Sequence, residues 1–365
     1  MKERQGSPDF IIMSVALILL TIGLIMVFSS SAVSAYLDYG DSFYYLKRQL
    51  VSAALSIVVM VFAMNFDYQH LKRLANIGLL AFLFLLMLVL VMGVVKYGSS
   101  RWLDLGFRSF QPSEGVKLAM VIFMAKRLSE NRSKMEYFLK GLVPNLAILG
   151  AVCGLIMLQP DLGTAVCVAG TVYLMFFAAG SKFSHLTLLG VAGVSVVFLA
   201  ILVSHYRMER LISFLNPWED PSDSGYQIIQ SLLALGSGGL VGMGLGQSRQ
   251  KFFYLPQRHT DFIFAILGEE LGFIGAGLVL LLFFVLLWRG FKVALTVQDG
   301  FGSLLAVGIT CMIIVQMCIN VGVVTASLPI TGITLPFVSY GGSSLIFIMA
   351  GIGILLNISR HTASR

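Results

Sequence analysis

Ten apolar runs constrain this chain more than any other feature of its sequence. They fall near residues 10–33, 48–65, 74–95, 113–128, 139–158, 162–179, 186–204, 262–288, 302–324 and 342–358. A bilayer's hydrocarbon core is crossed by about 20 helical residues, so ten crossings use about 200 positions. The chain has 365 residues, 57% of them hydrophobic, which supplies that number. Only 12% are charged, about half the share a soluble domain carries, and no segment is polar enough to form a second, water-soluble domain. The expected fold is therefore an all-α integral membrane protein of ten transmembrane helices, a single polytopic domain over residues 1–365. The fourth and fifth runs are the least clean, and Pro160 leaves almost no loop between the fifth and the sixth.

Ten crossings place both termini on one side, and the distribution of basic residues decides which. Fourteen lie on the side of the termini: Lys2, Arg4, Lys72, Arg73, Lys126, Arg127, Arg132, Lys134, Lys140, Lys182, Arg289, Lys292, Arg360 and Arg365. The opposite short loops hold five: Lys47, Arg48, Lys96, Arg101 and Arg108. Both termini are expected in the cytoplasm. The net charge of +7 then reports orientation, and no nucleic-acid partner is implied. Residues 1–35 imitate a signal peptide, but the apolar run from Phe10 to Phe28 exceeds the usual 7–15 residues of such a segment, so it reads as an uncleaved first helix. Cys153, Cys167, Cys311 and Cys318 all sit in apolar segments as small hydrophobes. The five histidines are scattered, without the spacing of a zinc site.

Residues 205–261 break the economy of loops, lying between the seventh and eighth helices on the outer side. Loops longer than about 15 residues in a compact protein are functional or disordered. Tyr226, Ile228, Ile229, Leu232, Leu233 and Leu235 make this one too apolar for disorder. Short interfacial helices covering a cavity are expected. The glycines from Gly236 to Gly246 fit neither a P-loop nor GxGxxG, and indicate tight turns with close backbone approach.

Three groups of polar residues stand out against this apolar background. Gln111-Pro112-Ser113-Glu114 reads as an outer-face helix start, with Lys117 on the same face as Glu114. A lysine near hydrocarbon is costly and marks either a functional cavity or a pair that snorkels outward. Asp261 stands where a polar turn enters an apolar helix, as an N-cap or as a carboxylate at the mouth of the bundle. Glu269 lies about 80° round the helix from it and Glu270 on the opposite face. Arg207 and Arg210 are i,i+3 neighbours with the geometry to hold a pyrophosphate or ordinary lipid headgroups. Trp102, like Trp218, is either an interfacial anchor or part of a site.

These segments resemble the signatures of the SEDS family, whose members include FtsW, RodA and SpoVE. The matching stretches are Arg101-Trp102, Gln111 to Glu114 with Lys117, Gln159-Pro160-Asp161-Leu162-Gly163-Thr164, and Phe214 to Trp218. They continue through Gly225-Tyr226-Gln227, Gly242 to Gly246, His259 to Ala265, Gly268 to Gly272, Pro329 to Gly332, and Pro336 to Ser344. Segment 211–262, which includes Gln247 to Tyr254, is particularly similar to SpoVE and Gram-positive FtsW. Gln257-Arg258 departs from the family, where many members carry glutamate after the proline.

The resemblance implies a processive glycosyltransferase that joins lipid II units into β-1,4-linked glycan strands and releases undecaprenyl pyrophosphate. It assigns catalytic roles to Asp261 and Lys117. Glu114, Trp102, Lys251, His259 and Ser343, in matched segments, and Arg207 and Arg210, on their charge and spacing, are the expected substrate contacts. A class B penicillin-binding protein, a transpeptidase, is the expected partner, beside membrane lipids. An inverting displacement needs one general base, for which Asp261 is the choice, with Lys117 as its charge partner. Cationic side chains or a divalent cation, magnesium or manganese, would stabilise the departing pyrophosphate; no metal ligand is named and no other cofactor is expected. A lipid II flippase and a non-catalytic scaffold of the wall-synthesis machinery are the rival classes.

Overall fold

The computed structural model describes residues 6–96, 99–104, 109–223, 225–252 and 254–362. Lys2, Arg4, Arg108 and Arg365 of the charge bias, and Phe253 of the matched loop segment, lie outside the described residues.

The chain folds as helix after helix. The first three are α1 (Phe10–Tyr39), α2 (Tyr44–Asn65) and α3 (Tyr68–Met92). Asp9 opens α1 by accepting the N–H groups of Ile11 and Ile12, and Asp67 opens α3 in the same way through Gln69, meeting backbone donors that have no partner within a helix's first turn. Then come α4 (Pro112–Glu130), α5 (Val143–Leu158), α6 (Leu162–Ala178) and α7 (Phe183–Leu202). Two short helices, α8 (His205–Leu215) and α9 (Tyr226–Gly238), occupy the long connecting segment, as its apolar residues suggested. The chain ends with α10 (Ile263–Thr296), α11 (Gly300–Val324) and α12 (Gly342–Ser359).

Among the described residues, eight helical stretches are long and apolar enough to cross a membrane: α1, α2, α3, Phe138–Leu158 (α5 with the turn before it), α7, α10, α11 and α12. Apolar side chains such as Val91, Val194, Phe198 and Phe284 stand more than half exposed on the outer helices, a surface that suits hydrocarbon rather than water. The best-buried helices are α4, α11 and α12, which pack together at the centre. The chain is a multi-pass membrane protein.

Two features were not anticipated. The connection from α3 to α4 holds a small antiparallel sheet, β1 (Val94–Lys96), β2 (Ser99–Asp104) and β3 (Ser109–Phe110), paired in that order. Strands this short leave little alternation to read. The second is a break in α10 at Gly272, whose φ of 67° and ψ of −169° divide it into Ile263–Leu271 and a longer second half. The glycine turn after α9 fills the break. Met243 and Gly244 donate to the carbonyls of Glu269 and Glu270, and Phe273 and Ile274 donate to those of Gly239 and Leu240, all at 2.9–3.0 Å. These four backbone groups at the break thus find partners in the turn, as groups at hydrocarbon depth must. A Cβ on Gly242 would stand 2.2 Å from the Glu270 carbonyl oxygen, which accounts for glycine there.

The start of α1 and the end of α12 meet at one end of the bundle. Gly6 donates to the Arg360 carbonyl, Asp9 to the Ser359 hydroxyl, and Arg289 pairs with the Asp9 carboxylate. The sheet and the starts of α4, α6, α10 and α12 bring the polar motifs of the sequence close to one another.

Candidate active site

Asp261 precedes the first half of α10 and is not its cap. The N-cap position belongs to Phe262, and no side chain bonds the exposed amides there. The backbone carbonyl of Asp261 is held at 2.7 Å by the Asn320 amide, which donates equally to the Ile333 carbonyl. Among the described residues no hydrogen bond reaches the Asp261 carboxylate. Its Oδ2 faces Gly332, where an added Cβ would lie at 3.7 Å. Burial pushes this carboxyl up to about 6; Arg210 and then Arg101 pull it back down, and Asp161 pushes it up.

The two arginines arrive from different elements. Arg210, on α8, donates to the Ile330 carbonyl at 3.1 Å and lies 4.4 Å over the Tyr206 ring. Arg101, on β2, donates to the Gln159 and Pro160 carbonyls and stands 3.7 Å from the Asp161 carboxylate. Asp161 caps α6, accepting the Thr164 N–H at 3.1 Å and its hydroxyl at 2.9 Å. Pro160 forbids a continuous helix here, so the α5–α6 turn presents its carbonyls and Asp161 to Arg101.

Lys117 does not pair with Asp261. Its ammonium, buried one turn into α4, contacts Glu114 at 2.9 Å and donates to Gln316 at 2.7 Å. The i,i+3 spacing that suggested a snorkelling pair does produce a pair, but one enclosed by α11 rather than reaching outward. Gln316 also donates to the Thr334 carbonyl at 3.0 Å. Gln316 and Asn320 lie one turn apart on α11, about 6 Å along its axis. They tie Lys117 and Asp261 to adjacent residues of one segment, Thr334 and Ile333.

Other expected substrate contacts have protein partners in this structure. Lys251 is buried, 3.2 Å from the Glu270 carboxylate and 2.6 Å from the Gly246 carbonyl. Arg207 turns back to the Ala200 carbonyl at 3.0 Å. The Ser343 hydroxyl accepts the Gln111 N–H at 3.2 Å, holding α12 to the start of α4. His259 packs against both Tyr45 and Tyr340, and burial, with Arg258 nearby, lowers its pKa to about 4, so it is neutral at physiological pH and does not serve as a cation for phosphate. Trp102 is half-buried on β2, opposite Val94.

The structure places Asp261 and Arg210, both expected site residues, near Arg101, Asp161, Gln316 and Asn320, to which the sequence reading gave no role. Arg101 and Asp161 stood inside quoted motifs without a role. The two amides carried a signal that could have been used, because polar side chains four residues apart within an apolar helix are expensive and face protein.

The chain matches the family model of the FtsW, RodA and SpoVE cell cycle proteins over residues 9–364. It belongs to this SEDS family. It is 52% identical to stage V sporulation protein E of Bacillus subtilis over 99% of this chain and 100% of that protein. It is 43% identical to the probable peptidoglycan glycosyltransferase FtsW of Geobacter sulfurreducens, over 96% of this chain and 95% of the relative. Among solved structures, a SEDS-like fold appears in a peptidoglycan synthase complex described as coordinating polymerization and crosslinking. That chain superposes with a TM-score of 0.81 at 32% identity, covering 97% of this chain and 98% of that one. The rod shape determining protein RodA of Thermus thermophilus superposes at 0.73 with 30% identity, covering 98% of each.

Proposed function

We propose that this SEDS protein is a peptidoglycan glycosyltransferase that polymerises lipid II into β-1,4 glycan strands, with Asp261 as its general base. The observation that carries the assignment is the Asp261 carboxylate: among the described residues it has no hydrogen bond, while Arg210 and Arg101 both act on it electrostatically. A carboxylate used for structure is bonded by the groups around it, whereas a base has a free lone pair for the incoming hydroxyl. The names of the FtsW relatives and the synthase complex supply the reaction class.

In the reaction, Asp261 takes the proton of the acceptor sugar's 4-hydroxyl as that oxygen bonds to the donor's anomeric carbon. The bond from that carbon to the pyrophosphate oxygen breaks, and its electron pair leaves with undecaprenyl pyrophosphate. Arg210 and Arg101 supply positive charge for the departing phosphates. Lys117, held by Glu114 and Gln316, ties α4 to α11 beside the base instead of pairing with it. Among the described residues no group of three or more His, Cys, Asp or Glu side chains converges as a metal cage. A magnesium or manganese ion would be held chiefly by the pyrophosphate with one or two carboxylates, Asp161 and Asp261 being those at hand. No step of the mechanism is routed through it.

The reading includes ten membrane crossings, with α4 and α6 crossing beside the eight longer helices. Both termini are cytoplasmic and residues 205–261 lie outside. It also includes a class B penicillin-binding protein as the crosslinking partner, as the synthase complex suggests. The test is polymerisation of lipid II by the full chain with its partner, followed on a gel. Asp261→Asn keeps the shape of the side chain and lowers the rate by about two orders of magnitude or more, while lipid II binding survives. An asparagine variant with near-native rate sends the search for the base first to Glu114. A wild type that binds lipid II and never polymerises it returns the chain to the flippase or scaffold class.

A further inference from the structure

Glu269 and Glu270 are almost fully buried, with exposures of 1% and 0%, and take no part in the chemistry above. Two adjacent carboxylates inside an apolar bundle are costly unless every oxygen is met. Here one short stretch of the long loop meets them. Glu269 accepts the Ser248 hydroxyl, the Arg249 N–H at 2.9 Å and the Gln250 N–H at 3.4 Å. Glu270 accepts the Lys251 ammonium at 3.2 Å, the Ser248 N–H at 3.4 Å, and the hydroxyl of Ser29, from α1, at 2.7 Å. The same two residues offer their backbone carbonyls to Met243 and Gly244. Residues 243–251 are thus bonded, through backbone and side chains together, to the last turn of the half-helix Ile263–Leu271.

The chain closes on itself at this point. It leaves the clasp at Lys251, runs through Leu255 and His259 to Asp261, and returns down the half-helix to Glu269 and Glu270. Asp261 therefore sits on a closed loop of backbone whose two ends are fastened together and, through Ser29, to α1. The half-helix has nine residues, a length of about 13 Å. Gly272 at its end interrupts the helical backbone that would otherwise align it with the rest of α10. Its placement depends on the packing around it and on this clasp.

We infer that Ser248, Lys251, Glu269 and Glu270 are positioning residues, which hold the half-helix, and Asp261 with it, in register with Arg101 and Arg210. The loop turn and the half-helix then move as one unit, and anything that displaces residues 243–251 displaces the base. Lys251 acts through Glu270 in this assignment and not by touching substrate.

Two measurements on the full chain in lipid nanodiscs test this. In Glu270→Gln and Lys251→Met, amide hydrogen exchange should rise together in residues 239–251 and 263–271, by tenfold or more, and stay unchanged in α4 and α12. This arm needs no catalysis, so it decides the coupling even if the polymerase assignment fails. The kinetic arm rests on that assignment: kcat for lipid II polymerisation should fall at least tenfold with KM within about twofold of wild type, and Lys251→Arg should recover part of the loss. Ser29→Ala removes one bond to Glu270 without stranding a charge; it serves if either charge variant cannot be recovered folded, and predicts the same pattern at smaller amplitude. Faster exchange in the loop alone, with the half-helix and kcat unchanged, overturns the proposal. So does a rise in KM at constant kcat in Lys251→Met, which would make Lys251 a substrate contact.

Discussion

At the scale of single residues, the site is a balance between one carboxylate and two arginines. Burial raises the Asp261 carboxyl to about 6, and Arg210 is the larger of the two lowering influences. A base works in its ionised form, so polymerisation should fall as pH drops through about 6 and reach a plateau above it. Removing Arg210 removes a lowering influence, so Arg210→Met should move this acid limb to higher pH, besides slowing turnover. The pH dependence of kcat/KM checks both; a limb that stays in place would detach Arg210 from the base. Asn320→Leu should be more damaging than its distance from the carboxylate suggests. It frees the carbonyls of Asp261 and Ile333 together, and each buried group left unpaired costs about 1–3 kcal/mol. Asp261 was legible in the sequence because a charge stood where apolar helix begins. Its partners were not, because pairing is a property of the folded bundle. Lys117 had two carboxylates to choose from, and the one three residues away in α4 prevailed.

At the scale of elements, the sequence shows helices well and their interruptions badly. The apolar runs gave α1, α2, α3, α7, α11 and α12 nearly as they stand, since continuous hydrophobicity over about 20 residues is a strong signal. The break at Gly272 left no such trace, because one glycine between Leu271 and Phe273 is tolerated in any apolar helix. What makes it a break is the turn 239–244, thirty residues earlier in the chain, where Gly242 has the close backbone approach expected of this glycine cluster. Gly242 has a φ of 82° and no room for a side chain, while Gly154, within α5, has open space around it. Gly242→Ala should therefore lower the thermal unfolding midpoint in detergent by several degrees, and Gly154→Ala should leave it nearly unchanged. Equal midpoints would show that the turn is only loosely seated in the break.

At the scale of the whole molecule, the number of crossing helices reduces to counting parity. α6 has 17 residues, about 25 Å of helix against about 30 Å of hydrocarbon, and α4 carries Glu114, Lys117, Lys126 and Arg127, so neither meets a simple standard for a span. Burial of Lys117 against Glu114 and Gln316 removes the main objection to α4, since a paired charge facing protein is not a charge facing lipid. The candidate spans between Ser133 and Ser222 are α5, α6 and α7. If all three cross, the two serines are on opposite sides; if α6 does not, they share a side. Between Ser42 and Ser133 lie α2, α3 and α4, and the same reasoning decides α4. Single cysteines at Ser42, Ser133 and Ser222, in a chain lacking Cys153, Cys167, Cys311 and Cys318, should therefore label as two classes. Positions 42 and 222 should react with an impermeant maleimide on intact cells, and position 133 only after permeabilisation. Labelling of 222 alongside 133 would remove α6 from the count, and labelling of 42 alongside 133 would remove α4. Labelling with the two classes exchanged would keep ten crossings and reverse the orientation, leaving Asp261 facing the cytoplasm, where no glycan strand is to be extended.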